Sequence, residues 1–256
     1  MVRTASRPFV ALLVLSSLLL ASPSPGRGAE WRDVSDARLV NAERDAGNWL
    51  MYNRTYAGWR YSPLEQISTA NIKKLVPKWI FAGGTIGDQQ MTPVVNDGVM
   101  FTTSTALAFN RVHAVNAATG ELLWKHDRRI PDDVGALVRL IPHNRGVALY
   151  KDKVIFGTLD AHLVALDAKT GKPAWETKIA DYAEGYFVSQ APLVIKGKVV
   201  VGIAGPARLR RGVRRRQRQE PVALVLDPGR RRAGQRDLGR GHVEDRRRRR
   251  LAHRHV

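Results

Sequence analysis

Arginine is the residue type most able to do chemistry in this sequence, and it is unevenly placed. The chain carries 42 Lys and Arg against 23 Asp and Glu, a formal charge of +19 over 256 residues. Residues 205–256 hold 18 arginines, no lysine and 5 acids; they carry +13, and the first 204 residues only +6. A guanidinium run of that density would ordinarily neutralise the phosphates of a nucleic acid or an anionic membrane. A different arginine stands alone in Asn144-Arg145-Gly146. Its fixed, always-charged donors suit a carboxylate or an oxyanion. Taken by itself, it reads as a loop arginine paired with a carboxylate. Cysteine is absent, which excludes a disulfide scaffold, a Cys-ligated zinc or iron–sulfur site and a thiol nucleophile.

The arginine run has an odd composition. From Ala204 to Val256 only ten residue types occur: Gly, Pro, Ala, Arg, Leu, Val, Gln, Glu, Asp and His. Those ten are the amino acids whose codons can begin with G or C. A GC-rich gene read with its wobble base in first position would produce such a run. Shifting His242 to Arg250 by one base permits Thr-Trp-Lys-Thr followed by glycines, and shifting Leu251 to Val256 permits Trp-Leu-Thr-Gly-Thr-Tyr. Residues 205–256 therefore read as a frame-shifted, disordered, arginine-rich tail. No genuine nucleic-acid partner is expected of it, because nucleic-acid arms use Lys and Ser freely.

The remaining residues must supply the elements that position any site. Arg3 and Arg7 precede the apolar run Phe9 to Ala21, too short to span a bilayer and followed by Ser, Pro and Gly. Residues 1–29 read as a secretory signal peptide, with no membrane span after cleavage and an exported, periplasmic chain. Ser35 signals the N-cap of a short helix running to Glu43. Beyond Trp49, short apolar runs alternate with turns. Val94-Val95 and Val99-Met100-Phe101 flank Asn96-Asp97-Gly98, a hairpin signal, and Val154 to Gly157 and Val199 to Gly202 read as similar strands.

A repeat is also present. Ala114-Val115-Asn116-Ala117-Ala118-Thr119-Gly120 leads to Trp124, and Ala165-Leu166-Asp167-Ala168-Lys169-Thr170-Gly171 leads to Trp175. A third copy is expected near Arg216 in the shifted frame. A period near 50 residues with several strands per unit predicts a β-propeller, each tryptophan packing over the next blade.

Gly47-Asn48-Trp49-Leu50, Arg54-Thr55-Tyr56, Arg60-Tyr61-Ser62-Pro63-Leu64, Ile67, Asn71-Ile72 and Leu75, together with the tryptophan repeats, resemble the alcohol dehydrogenases dependent on pyrroloquinoline quinone (PQQ), of the methanol/ethanol type. The resemblance implies an all-β fold, the N-terminal part of an eight-bladed β-propeller over residues 30–204. It implies hydride transfer from a primary alcohol to the quinone, assisted by calcium or a lanthanide ion. Cytochrome c or another quinone-oxidising acceptor would follow.

Carried over by motif, the resemblance places Arg145 beside the quinone oxygens, with Asn144 in the same segment. Ser189, before Gln190-Ala191-Pro192, would contact the cofactor. Gln90, before Met91-Thr92-Pro93, stands where the family has a glutamate. The vicinal cysteine pair of many members is replaced by Leu140-Ile141-Pro142-His143. At the family's metal-binding glutamate stands Ala207, and the catalytic aspartate would lie past Val256. The chain is therefore expected to be a truncated, inactive member. The alternative is a non-enzymatic propeller scaffold of the cell envelope, but such scaffolds need a lipidated cysteine that this chain lacks.

Overall fold

The computed structural model describes residues 31–85, 89–106, 108–138, 143–205 and 222–226. The expected signal peptide, the expected third repeat near Arg216 and Ala207 lie outside them. Among the described residues no helix is long and apolar enough to cross a membrane.

The lead segment forms α1 (Asp36–Val40), its N-terminus capped by the Ser35 hydroxyl, which accepts from the Arg38 N–H. The capping residue is the one the sequence signalled, and Leu39 turns into the core. Strands then follow as antiparallel meanders. The first blade is β1 (Val94–Asn96), β2 (Val99–Ala106), β3 (Phe109–Asn116) and β4 (Leu122–Arg129), hydrogen-bonded in that order. After a short helix, α2 (Val134–Val138), comes the second blade: β5 (Ala148–Tyr150), β6 (Lys153–Gly157), β7 (His162–Asp167) and β8 (Pro173–Lys178). The third sheet has β9 (Leu193–Ile195), β10 (Lys198–Ile203) and β11 (Val222–Leu226). Within the stretch expected to be disordered, β11 is thus a strand, held along its length against β10.

The same local chemistry builds each blade. Two-residue turns at Asp97-Gly98, Lys151-Asp152 and Lys196-Gly197 close the first hairpin of each, with Asp97, Lys151 and Lys196 in the left-handed region. Such turns match the twist of the flanking strands. Middle strands are buried on both faces, as in β7, whereas the outer β4 and β8 alternate exposed with half-buried residues. Both full blades carry a bulge at the same place, between Ala114 and Val115 and between Ala165 and Leu166.

The repeat locks one blade to the next, as the sequence predicted. Asn116 and Asp167 accept from backbone amides two or three residues on and fold the turn between third and fourth strands. Gly171 at φ +69° lies against the Trp124 ring; a Cβ there would meet Trp124 Cδ2 at 2.7 Å. The Trp124 indole N–H donates to the Ala168 carbonyl at 3.0 Å. Only glycine both adopts that φ and admits the ring. One apolar core runs from Val34 and Leu39 through Phe101, Phe156 and Leu163 to Val199. Each such side chain contributes about 1.5–3 kcal/mol by burial.

The lead segment also ties the blades together at the turn end of their inner strands. Arg32 pairs with Asp97 of the first blade. Val34 bridges to Lys151 of the second. The Asp36 carboxylate accepts from the Gly197 N–H of the third at 2.9 Å and from the Tyr150 hydroxyl at 3.2 Å.

Candidate functional site

At the opposite end of the inner strands, the segments leading into β1, β5 and β9 meet. Thr92 N–H donates to the Arg145 carbonyl at 3.2 Å, and Arg145 N–H donates to the Ser189 carbonyl at 2.9 Å. These bonds join the lead-in segments of three successive blades into one arc. The geometry follows from chain order: each lead-in segment enters an inner strand, so all three arrive at the same end of the sheets.

On this arc the Arg145 guanidinium donates from Nη1 to Ser189 Oγ at 2.9 Å. Among the described residues Arg145 forms no ion pair with a carboxylate. Ser189 is 6 % exposed and Asn144 is 4 % exposed.

Asn144 holds the loop that aims Arg145. Its Nδ2 donates to the Gly157 carbonyl, and its Oδ1 accepts from Gly146 N–H, both at 2.8 Å. Thr103 Oγ1 donates to the Asn144 carbonyl at 3.4 Å. Gly146 sits at φ +124°, and a Cβ there would meet the Thr92 carbonyl at 3.1 Å. A side chain at position 146 would therefore push the first two lead-in segments apart.

The peptide after Gly157 anchors the other half. Val188 N–H donates to the Thr158 carbonyl at 3.0 Å, which fixes the backbone entering Ser189. This turn is braced by a charged cluster that sequence reading missed. Asp160, 2 % exposed, accepts from Thr158 Oγ1 at 2.6 Å and pairs with Arg128 at 2.9 Å and His162 at 3.2 Å. Burial alone would raise the Asp160 carboxyl; hydrogen bonds from His162 and Thr158 and the Arg128 charge hold it below the usual carboxylate range. The sequence signal was weak, because Arg128 on β4 and Asp160 in the turn after β6 lie 32 residues apart.

The structure therefore brings Arg145, Ser189 and Asn144 together. Gln90 is exposed, two residues before Thr92. Among the described residues no group of three or more His, Asp or Glu side chains could hold a metal ion. The donor chemistry of the arc, a guanidinium beside a hydroxyl with no acid partner among the described residues, fits a planar group bearing oxygens or carboxylates.

Comparison with known proteins agrees with the fold. The sequence profile of the PQQ family described as glucose/ethanol/alcohol dehydrogenase, beta-propeller domain, matches residues 49–215. The quinoprotein alcohol dehydrogenase PedH of Pseudomonas putida is 42% identical over 208 residues, 80% of this chain and 33% of that protein. The 1-butanol dehydrogenase (quinone) of Thauera butanivorans is 38% identical over 200 residues, 77% of this chain and 31% of that protein. A solved europium-containing methanol dehydrogenase superposes with a TM-score of 0.62 at 34% identity, covering 66% of this chain and 29% of that one. The chain thus spans about a third of the length of the curated relatives it matches. With two four-stranded blades joined by tryptophan docking and a profile match over most of its length, the chain belongs to the family of PQQ-dependent glucose/ethanol/alcohol dehydrogenases with a β-propeller fold.

Proposed function

We propose that this chain carries the arginine-bearing arc of the cofactor pocket of a periplasmic PQQ-dependent alcohol dehydrogenase. The observation that carries the reading is the Arg145–Ser189 pair, a guanidinium free of any described carboxylate held at the meeting point of three blades. Arg145 would orient the quinone through charge-assisted hydrogen bonds to its oxygens. Ser189 would fix the guanidinium and offer its hydroxyl to the same group. Asn144 acts one step behind them as a positioning residue, and Gln90 would approach the cofactor's rim. When bound, the quinone supplies the hydride acceptor, and a calcium or lanthanide ion the Lewis acid. The substrate is a primary alcohol, and a cytochrome c or similar acceptor takes the electrons onward.

We further propose that the 256-residue chain does not turn over by itself. The described residues form two four-stranded blades and a three-stranded one; a pocket bounded by these alone would admit water, which weakens every electrostatic contact in it. The tail from residue 205 is a frame-shifted segment in this reading, and sequencing the DNA through those codons tests it. Titrating the purified chain with PQQ, followed by quenching of tryptophan fluorescence, is expected to show saturable binding. Arg145→Ala should weaken that binding by about tenfold or more. Binding unaffected by Arg145→Ala would overturn the assignment. Dye-linked alcohol oxidation, with cofactor and calcium or lanthanide added, is expected to be absent.

A further inference from the structure

One turn of the second blade fixes both halves of the arc. The connection between β6 and β7 offers the Gly157 carbonyl to Asn144 Nδ2 at 2.8 Å and the Thr158 carbonyl to Val188 N–H at 3.0 Å. Asn144 directly precedes Arg145, and Val188 directly precedes Ser189. Each donor of the arc is therefore set one residue away from an anchor on this turn. The fit is close, because a Cβ on Gly157 would run into the Val188 side chain.

The turn does not hold this shape by itself. Ala161 is buried at φ +57°, in the left-handed region that favours glycine. A residue with a side chain persists there where its surroundings over-determine it. Part of what holds the turn comes from the first blade. Arg128 of β4 grips Asp160 with two nitrogens, Nη1 on Oδ1 at 3.0 Å and Nη2 on Oδ2 at 2.9 Å. Bidentate pairing of this kind fixes direction as well as distance. Asp160 Oδ1 accepts in turn from Thr158 Oγ1 at 2.6 Å. The Leu159 N–H donates to Oδ1 of the buried Asn110 on β3 at 3.1 Å.

We propose that Asp160 is a positioning residue of the arc, passing the register of the first blade to Arg145 and Ser189 through the Thr158 peptide. This role rests on the reading of Arg145 and Ser189 as the cofactor-binding pair. Buried behind the turn, Asp160 acts through hydrogen bonds: its carboxylate holds the Thr158 hydroxyl, the Thr158 carbonyl holds Val188, and the Gly157 carbonyl holds Asn144. The brace starts on the first blade at Arg128, crosses the second at Asp160 and ends at Val188, which leads into the third. A shift of this one turn moves both donors of the arc together. Charge-assisted hydrogen bonds depend on direction, so the affinity for an anionic, planar ligand follows the turn.

PQQ binding to the full 256-residue chain, read by quenching of tryptophan fluorescence, tests this in Asp160→Asn, Arg145→Ala and the double variant. Asp160→Asn is expected to weaken binding by about tenfold. It should add little once Arg145 is alanine, because residues that act through one another are not additive. Thr158→Val keeps the Arg128–Asp160 pair and cuts its link to the turn. It should reproduce the loss, and it decides the matter if Asp160→Asn does not fold. Asp36→Asn, at the opposite end of the inner strands, is the control: it should lower stability and leave the affinity intact. In the ligand-free chain, hydrogen exchange at Val188 and Gly146 N–H should quicken in Asp160→Asn and Thr158→Val but not in Asp36→Asn. Affinity unchanged in Thr158→Val, an equal loss with and without Arg145, or a similar loss in Asp36→Asn overturns the proposal. Binding unaffected by Arg145→Ala overturns the cofactor reading. The ligand-free exchange rates then decide the role of Asp160 by themselves, quickened rates supporting it and unchanged rates overturning it.

Discussion

The Arg145 guanidinium donates to the Ser189 hydroxyl at 2.9 Å, and the backbone N–H of the same arginine donates to the Ser189 carbonyl at the same distance. Two residues 44 positions apart are thereby held twice, once through side chains and once through backbone. The backbone bond sets the spacing of two blades, and the side-chain bond sets the direction of the charge. Ser189→Ala removes only the second. It should cost about 1 kcal/mol of stability, while binding of PQQ weakens and the backbone arc persists. Urea unfolding together with cofactor titration separates the two effects.

Asn144→Ala should be the more damaging change at the arc. It leaves the Gly157 carbonyl and the Gly146 N–H without their buried partner. An unmet buried group costs about 1–3 kcal/mol, so a loss near the upper end of that range is expected in urea midpoints. Asn144→Asp keeps the acceptor for Gly146 N–H but loses the donor to Gly157, and should fall between.

Gly171→Ala tests the docking of one blade on the next. The new Cβ would meet the Trp124 ring at a φ that favours glycine. A loss of about 1–3 kcal/mol is expected. It should be accompanied by a red shift of tryptophan emission as the indole is displaced, with thermal unfolding as the check.

Acid should weaken the first blade through His113. Burial, then the neighbouring Arg111 charge, lowers this histidine to about 4. Unfolded, it would titrate near 6.5. Between those values the unfolded chain binds more protons than the folded one. Stability present above about pH 6.5 is therefore lost as the pH falls towards 4, on the order of 2–3 kcal/mol in full. His113→Gln should flatten this slope in urea midpoints measured at pH 7.5 and pH 5.

Asp160 acts at lower pH. Its folded carboxyl is held below the usual range. Its contribution is thus complete above the unfolded carboxylate value and disappears as pH falls through the folded one. Asp160→Asn leaves Arg128 without its buried partner and should cost about 3 kcal/mol at neutral pH. It should also loosen the Thr158 peptide that anchors Val188. Hydrogen exchange at Val188 N–H is expected to quicken.

The sequence by itself determined the blade. Turn residues at Asp97-Gly98 and Lys196-Gly197, apolar runs of strand length and the spacing from Ala114 to Trp124 are local signals, each read within a dozen residues. Local backbone chemistry decides hairpins and docking turns, so those signals suffice. The sequence also singled out Arg145 and Ser189, through short motifs that resemble the family's.

Only the tertiary structure decided what those residues touch. That Arg145 meets the Ser189 hydroxyl depends on two segments 44 residues apart arriving at one end of the sheets. That Asn144 staples its own loop depends on the position of the Gly157 carbonyl in a neighbouring strand. The Arg128–Asp160–His162 cluster was likewise invisible, since it has no sequence period to betray it. Burial and pairing are properties of packed blades, and packing across the sequence is what a linear pattern does not contain.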